Sequence, residues 1–200
     1  MRARNMQDDL THECPGKLKA ILRGTKSLGF EMASEPKTGT LLKTLAASKP
    51  GGQFLELGTG TGLSSAWLLL GMDHRSRLTS VDNDPDAQAV AKSHLGSDPR
   101  LTLVCADGEA WLEENRDERF DFIFADAWPG KFLQLESALN LLDEGGFYLI
   151  DDLLPQDSWP EGHAPRVQEL INEIEAMRGF TSVRMAWASG LMLVVKRARR

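Results

Sequence analysis

The stretch that most limits what this chain can become is Gln53-Phe54-Leu55-Glu56-Leu57-Gly58-Thr59-Gly60-Thr61-Gly62-Leu63-Ser64-Ser65. An apolar run enters three glycines at alternate positions, and an apolar helical pattern, Ala66-Trp67-Leu68-Leu69-Leu70, leaves them. Strand, Gly loop and helix in that order form the opening unit of a doubly wound α/β sheet. Glycines suit a bend that must be tight and must let a ligand come close to the backbone, because a Cβ would obstruct both. A dinucleotide fingerprint, G-x-G-x-x-G, sets its third glycine where helix meets strand. Here the spacing is G-x-G-x-G, and Leu63 stands in that third place.

The remainder of the chain repeats the alternation. Thr40 to Ala47 reads as an amphipathic helix ended by Lys49-Pro50-Gly51-Gly52. Leu78-Thr79-Ser80-Val81 reads as a second strand ending at Asp82, and Asp84-Pro85 as the start of a helix, with Asp84 as N-cap. Leu101 to Val104 is the third strand, followed by Ala106-Asp107-Gly108 and a short helix, Glu109 to Asn115. Phe120 to Ala125 is the fourth strand and ends at Asp126, before an amphipathic helix over Phe132 to Leu142. Gly145-Gly146 turns into a fifth strand, Phe147 to Ile150, ending at Asp151-Asp152. A structured, proline-containing loop over 153–165 precedes a helix from Arg166 to Met177. Thr181 to Trp187 and Leu191 to Lys196 read as strands joined around Ala188-Ser189-Gly190, a hairpin signal. The expected fold is therefore a Rossmann-like, doubly wound α/β domain over 1–200. Its seven-stranded sheet is mostly parallel with a C-terminal antiparallel hairpin, and residues 1–34 form an N-terminal helical extension or lid.

Every one of the first five strands ends in a carboxylate or the Gly loop, and ligands of open parallel sheets bind outside those carboxyl ends. Asp82, twenty positions after Gly62, is placed to accept hydrogen bonds from a ribose diol, with Asn83 beside it against a base. The alternative for Asp82 is service to the helix that follows. Ser64, one turn into the first helix, is a candidate for the polar end of the ligand or for its own backbone.

The Glu56-x-Gly58-x-Gly60-x-Gly62 stretch resembles the first motif of the class I S-adenosylmethionine-dependent methyltransferases. Phe120-Asp121-Phe122-Ile123-Phe124-Ala125-Asp126-Ala127 and Gly145-Gly146-Phe147-Tyr148-Leu149-Ile150-Asp151-Asp152 are similar to the strand-four and strand-five motifs of the small-molecule O-methyltransferases related to catechol and caffeoyl-coenzyme A methyltransferases. The resemblance covers roughly residues 35 to 152. It implies S-adenosyl-L-methionine held by Glu56, Gly58, Thr59, Gly60, Gly62, Ser64, Asp82, Asn83, Ala106, Asp107 and Asp126. In this class an acid at Asp107 accepts the adenine amino group; its alternative is a cap on the helix at Glu109.

In that family the positions of Asp126, Asp151 and Asp152 hold Mg²⁺ or another divalent cation, which lowers the pKa of an acceptor hydroxyl. Asp152 stands where the family has Asn, and Pro129 where it has its catalytic Lys; Lys131 comes two positions later. The alternative is that Asp126 frames the methyl side of the cofactor while Asp151 and Asp152 cap a loop. Asp126, Lys131 and His163 are the catalytic candidates. Each lysine or histidine role has a plain counterpart, a surface lysine opening a helix and a solvent-facing loop histidine. Trp128 and Trp159 either wall an aromatic acceptor pocket or pin loops to the core.

A net charge of −6 with both signs mixed argues against a nucleic-acid partner. The Arg197, Arg199, Arg200 cluster reads as a solvated end. Cys14 and Cys105 form no metal or disulfide pattern, and Cys105 is expected to be a buried thiol. Met1 to Leu10 is too polar for a signal peptide, and no apolar run could span a bilayer. The expectation is a cytoplasmic protein acting on a small-molecule acceptor, with no membrane or nucleic-acid partner and with a homodimer left open. Three rivals remain. An N-methyltransferase would carry an Asn/Asp-Pro-Pro-Tyr/Phe motif, unlike Asp126-Ala127-Trp128-Pro129. A nicotinamide oxidoreductase is disfavoured by the glycine spacing. A non-catalytic module would bind the cofactor without turnover.

Overall fold

The computed structural model describes residues 16–156 and 159–198. His12, Cys14, the polar stretch Met1 to Leu10, and Arg199 and Arg200 lie outside the described residues. In chain order the elements are α1 (Gly16–Leu28), α2 (Pro36–Ala47), β1 (Gln53–Leu57), α3 (Leu63–Gly71), β2 (Arg77–Asp82), α4 (Pro85–Leu95), β3 (Leu101–Cys105) and α5 (Gly108–Glu114). They continue with β4 (Phe120–Ala125), α6 (Leu135–Asn140), β5 (Leu142–Ile150), α7 (His163–Ala176), β6 (Phe180–Met185) and β7 (Leu191–Lys196).

All seven strands form one sheet in the order β3-β2-β1-β4-β5-β7-β6. Strands β1 to β5 are mutually parallel, and β7 inserts antiparallel between β5 and β6. The C-terminal hairpin therefore docks by its second strand, not its first. Both sheet faces are covered, and strand residues alternate between two cores. Phe54, Phe122, Phe124 and Leu149 pack with α1, α2 and α3, while Leu55, Leu57, Ile123, Tyr148 and Ile150 pack with α5, α6 and α7. Two-sided coverage explains why these strands read as continuous apolar runs. Each large side chain so buried contributes roughly 1.5–3 kcal/mol.

Strand β1 has β2 on one side and β4 on the other. The chain leaves β1 and β4 in opposite directions around the sheet, which opens a crevice at their carboxyl ends. Gly58 closes the near wall of that crevice at φ 106°, and a Cβ there would stand 2.7 Å from the Asp126 carbonyl oxygen. Gly62, at φ 88°, lets α4 close in, since its Cβ would lie 2.7 Å from that of Ala91.

Several element boundaries differ from the sequence expectation. The helix expected over Phe132 to Leu142 is reduced to α6, because Gly130 (φ 85°) and Gln134 (φ 52°) hold the preceding chain in left-handed turns. Helix α7 begins at His163, three residues early, after Gly162 at φ 82°. Strand β5 starts at Leu142 and runs through Gly145, where its register against β4 shifts. Cys105 is exposed, not buried: β3 is the edge strand, and the outer face of its last residue has nothing to cover it.

Candidate cofactor and acceptor site

The Gly loop is held by side chains beneath it. Glu56 is fully buried, and its Oε2 accepts hydrogen bonds from the hydroxyls of Ser65 in α3 and Ser80 in β2. Ser80 shares a further hydrogen bond with Thr59 (2.6 Å). The other Glu56 oxygen has no partner. Burial pushes the Glu56 carboxyl up to about 7, against the pull of the Ser64, Ser65 and Ser80 hydroxyls. Glu56 thus braces β1, β2 and α3 from below the loop.

Asp82 braces it from the side. One carboxylate oxygen accepts from the Gly60 amide at 2.6 Å and the other from the Asp84 amide at 2.8 Å. Each oxygen keeps a second lone-pair direction. Asp84 caps α4 through the amides of Asp86 (2.9 Å) and Ala87 (3.0 Å), as its place before Pro85 predicts.

A cavity of about 400 Å³ opens over these strand ends, within the range of small-ligand sites. Of the residues singled out in the sequence, Gly58, Thr59, Gly60, Ser64, Asp82, Asn83 and Asp126 line it together, with Trp128 at its mouth. Glu56 lies below the lining, and Gly62 lies against α4. Ala106 and Asp107 are not among the lining residues, although Gly108 is. The Asp107 side chain accepts from the amides of Glu109 (3.0 Å) and Ala110 (2.9 Å), the capping geometry of α5. Sequence reasoning missed the far wall: Phe30, Met32, Ala33 and Ser34, between α1 and α2, also line the cavity. No motif marks them, and the only pointer is that they end the stretch 1–34 expected to form an extension or lid.

Asp126 lines the cavity; behind it, the ends of β4 and β5 and the turn after β4 bring further acids and a lysine together. Asp126 is 10% exposed; Ser34 donates to its Oδ2 at 3.0 Å, and Lys131 Nζ stands 3.8 Å from its Oδ1. Lys131 is buried, and its ammonium donates to the Asp151 carbonyl at 3.2 Å. It points inward because Gly130 reverses the chain and Tyr148 pins the Gly130 carbonyl with a 2.6 Å hydrogen bond. Burial pushes the Asp126 carboxyl well up, the Lys131 ammonium pulls it back, and the charges of Asp151 and Asp152 raise it again. Burial likewise lifts Asp151 to about 6, against the hydrogen bond from Ser189.

These acids fit a divalent ion poorly. Among the described residues no three His, Cys, Asp or Glu side chains group to hold a metal. Asp126, Asp151 and Asp152 do not form the expected ligand set, for three physical reasons. Lys131 stands against Asp126. The Asp151 Oδ1 accepts from Ser189 and from the Asp152 amide. Asp152, at φ 62°, accepts instead from Gln156 at 2.8 Å.

His163 opens α7 against the rings of Trp159 (4.6 Å), Phe132 (5.1 Å) and Trp128 (6.3 Å). Its Nδ1 is buried without a partner. Burial, with Lys131 and Arg166 nearby, lowers its pKa, so the imidazole is neutral at pH 7. Arg166 lies over the Trp128 ring at 5.1 Å. The two tryptophans expected to wall a pocket or pin loops therefore share one aromatic cluster with the histidine.

A doubly wound sheet with a Gly loop, a strand-two acid and a cavity at the β1/β4 switch point defines a Rossmann-like fold, in which ligands sit at that crevice. Residues 55–153 match the family model described as a methyltransferase domain. The chain is 36% identical over 123 residues to a Mycolicibacterium smegmatis protein provisionally named an O-methyltransferase, covering 59% of each chain. It is 34% identical over 139 residues to one so named from Mycobacterium sp. strain KMS, covering 66% of this chain and 63% of the other. The match thus spans about three fifths of the length of these relatives. Among solved structures, it is similar to an O-methyltransferase from Bacillus cereus crystallised with SAH, at TM-score 0.81 and 20% identity, covering 95% and 94% of the two chains. It is also similar to a Staphylococcus aureus protein provisionally described as a caffeoyl-CoA O-methyltransferase, at TM-score 0.77 and 18% identity, covering 91% and 93%. The expected resemblance to methyltransferases is met by the family match over 55–153, by relatives provisionally named O-methyltransferases and by the fold.

Proposed function

We propose that this chain transfers the methyl group of S-adenosyl-L-methionine to an oxygen of a small-molecule acceptor. The observation that carries the reading is the convergence of Asp82, the Gly58–Gly62 loop and Asp126 on one cavity. In this reading the free lone pairs of Asp82 accept the ribose hydroxyls, and Asn83 lies along the adenine. Ser64 and the amino end of α3 take the methionine carboxylate, which a helix N-terminus favours. Asp126 lies on the side of the cationic sulfonium. Asp107 caps α5 through Oδ1 alone, which leaves Oδ2 to accept the adenine amino group, with the Ala106 backbone beside it.

The transfer is an in-line displacement. An acceptor oxygen lone pair forms the new C–O bond while the C–S pair returns to sulfur, leaving SAH. The donor is already activated, so the protein has to align oxygen, carbon and sulfur and keep water out. Attack by an oxyanion on a sulfonium neutralises charge, which a poorly hydrated site favours. Residues 30–34 supply the water-excluding cover in this reading. The Trp128, Phe132, Trp159 and His163 cluster forms the acceptor side, with the neutral imidazole available to take the acceptor's proton.

Among the described residues no helix is long and apolar enough to cross a membrane. The reading places the reaction in the cytoplasm, with a homodimer as one open arrangement. Its test is methyl transfer from S-adenosylmethionine labelled in the methyl group to a panel of catechols, phenols and amines. Labelled ether products support the reading. Label only on nitrogen, or tight cofactor binding with no product on any acceptor, replaces it with one of its rivals.

A further inference from the structure

We infer that Lys131 is the resident cation of the strand-end acids beside the cavity, standing in place of a divalent metal ion. Three observations point the same way. The side chain is 6% exposed although it carries an ammonium, and a buried charge survives only with partners. Its partners come from both strand ends where a metal's ligands would have to be: the Asp126 carboxylate at 3.8 Å and the Asp151 carbonyl at 3.2 Å. The acids that remain are turned to other donors, Asp151 to Ser189 and Asp152 to Gln156. The turn that delivers Lys131 is specific, with Gly130 at φ 85° and its carbonyl fixed by buried Tyr148. An ammonium and a metal ion cannot share this space without strong repulsion at such distances.

The chemical consequence rests on the methyl-transfer reading above. When the acceptor hydroxyl releases its proton to the neutral His163 imidazole, the Lys131 ammonium holds the resulting oxyanion, and the oxyanion's lone pair attacks the methyl carbon. Lys131 keeps its proton throughout and needs no metal beside it.

The test uses Mn²⁺ as the probe, followed by electron paramagnetic resonance on the full chain, with SAH titrated in parallel by calorimetry. The wild type is expected to show no saturable Mn²⁺ site with Kd below about 1 mM, the weak end of protein cation sites. Lys131→Met removes the ammonium and leaves the acids, so it should gain Mn²⁺ affinity by ~10-fold or more. Adding Asp126→Asn to that variant should abolish the gain, and Lys131→Arg, which keeps the charge, should show none. A wild-type Mn²⁺ site lost in Asp126→Asn overturns the inference. So does Lys131→Met that still binds SAH and gains no Mn²⁺ site. Lys131→Gln repeats the measurement should Lys131→Met fail to fold. Failure of the wild type to bind SAH would refute the cofactor reading instead, leaving the Mn²⁺ comparison intact.

Discussion

Glu56 makes the stability of this protein depend on pH in a way that one substitution isolates. The carboxyl is fully buried under the Gly loop, and burial lifts it from its ordinary 4.5 to about 7. The folded chain therefore holds this proton more tightly than the unfolded chain does. The stability this contributes is complete below about pH 4.5 and is lost as pH rises through about 7. At about 1.36 kcal/mol per pKa unit, the loss amounts to roughly 3 kcal/mol. Glu56→Gln keeps the shape and an acceptor for Ser65 and Ser80 but cannot ionise. Its amide group has no acceptor where the second Glu56 oxygen sits unpartnered, which costs a constant amount at every pH. Urea unfolding of both proteins between pH 4 and 8 separates the two effects, because only the ionisation changes with pH. The difference in unfolding free energy, Glu56→Gln minus wild type, should rise by roughly 3 kcal/mol across that range. Parallel curves, with the difference constant to within about 0.5 kcal/mol, would refute the claim that a buried carboxyl braces the loop.

Gly58→Ala sets a Cβ 2.7 Å from the Asp126 carbonyl oxygen at a φ of 106°. Thermal unfolding should show a loss of about 2–4 kcal/mol, and SAH affinity should fall with it, since the loop must move off the crevice. Tyr148→Phe removes the 2.6 Å hydrogen bond to the Gly130 carbonyl in a fully buried site. Urea unfolding should register about 1–3 kcal/mol, and in the full chain turnover should fall because Lys131 loses its anchor; unchanged stability would show that the turn is held by other contacts.

Much of this arrangement was readable because its determinants are local. Gly58, Gly60 and Gly62 after an apolar strand, and Asp84 before Pro85, fix backbone conformation within a few residues of themselves. The strand-end acids Asp82 and Asp126 follow from alternation and from the rule that ligands sit at strand carboxyl ends. What stayed hidden depends on distant chain. Cys105 is exposed because β3 has no outer neighbour, a property of strand order and not of its own apolar run. The helix expected from Phe132 was cut short by left-handed turns at Gly130 and Gln134, and a non-glycine at positive φ such as Gln134 carries no signal in composition. The inward course of Lys131 depends on a hydroxyl from β5. Phe30 to Ser34 reach the cavity only because α1 and α2 fold back over the sheet. The matching acids of strands four and five suggested a metal, and side-chain pairing with Lys131, Ser189 and Gln156, invisible in sequence, turned them elsewhere.

The central claim is that the crevice between β1 and β4 takes an adenosyl ligand through Asp82. Calorimetric titration of SAH into the wild type and Asp82→Ala, with NAD as the comparison ligand, tests it most directly. The account predicts one SAH per chain, no NAD binding, and a loss of affinity of about 10- to 100-fold in the variant, as expected for charge-assisted hydrogen bonds to the ribose. Binding of NAD in place of SAH, or an Asp82→Ala protein that binds SAH as tightly as the wild type, would contradict it.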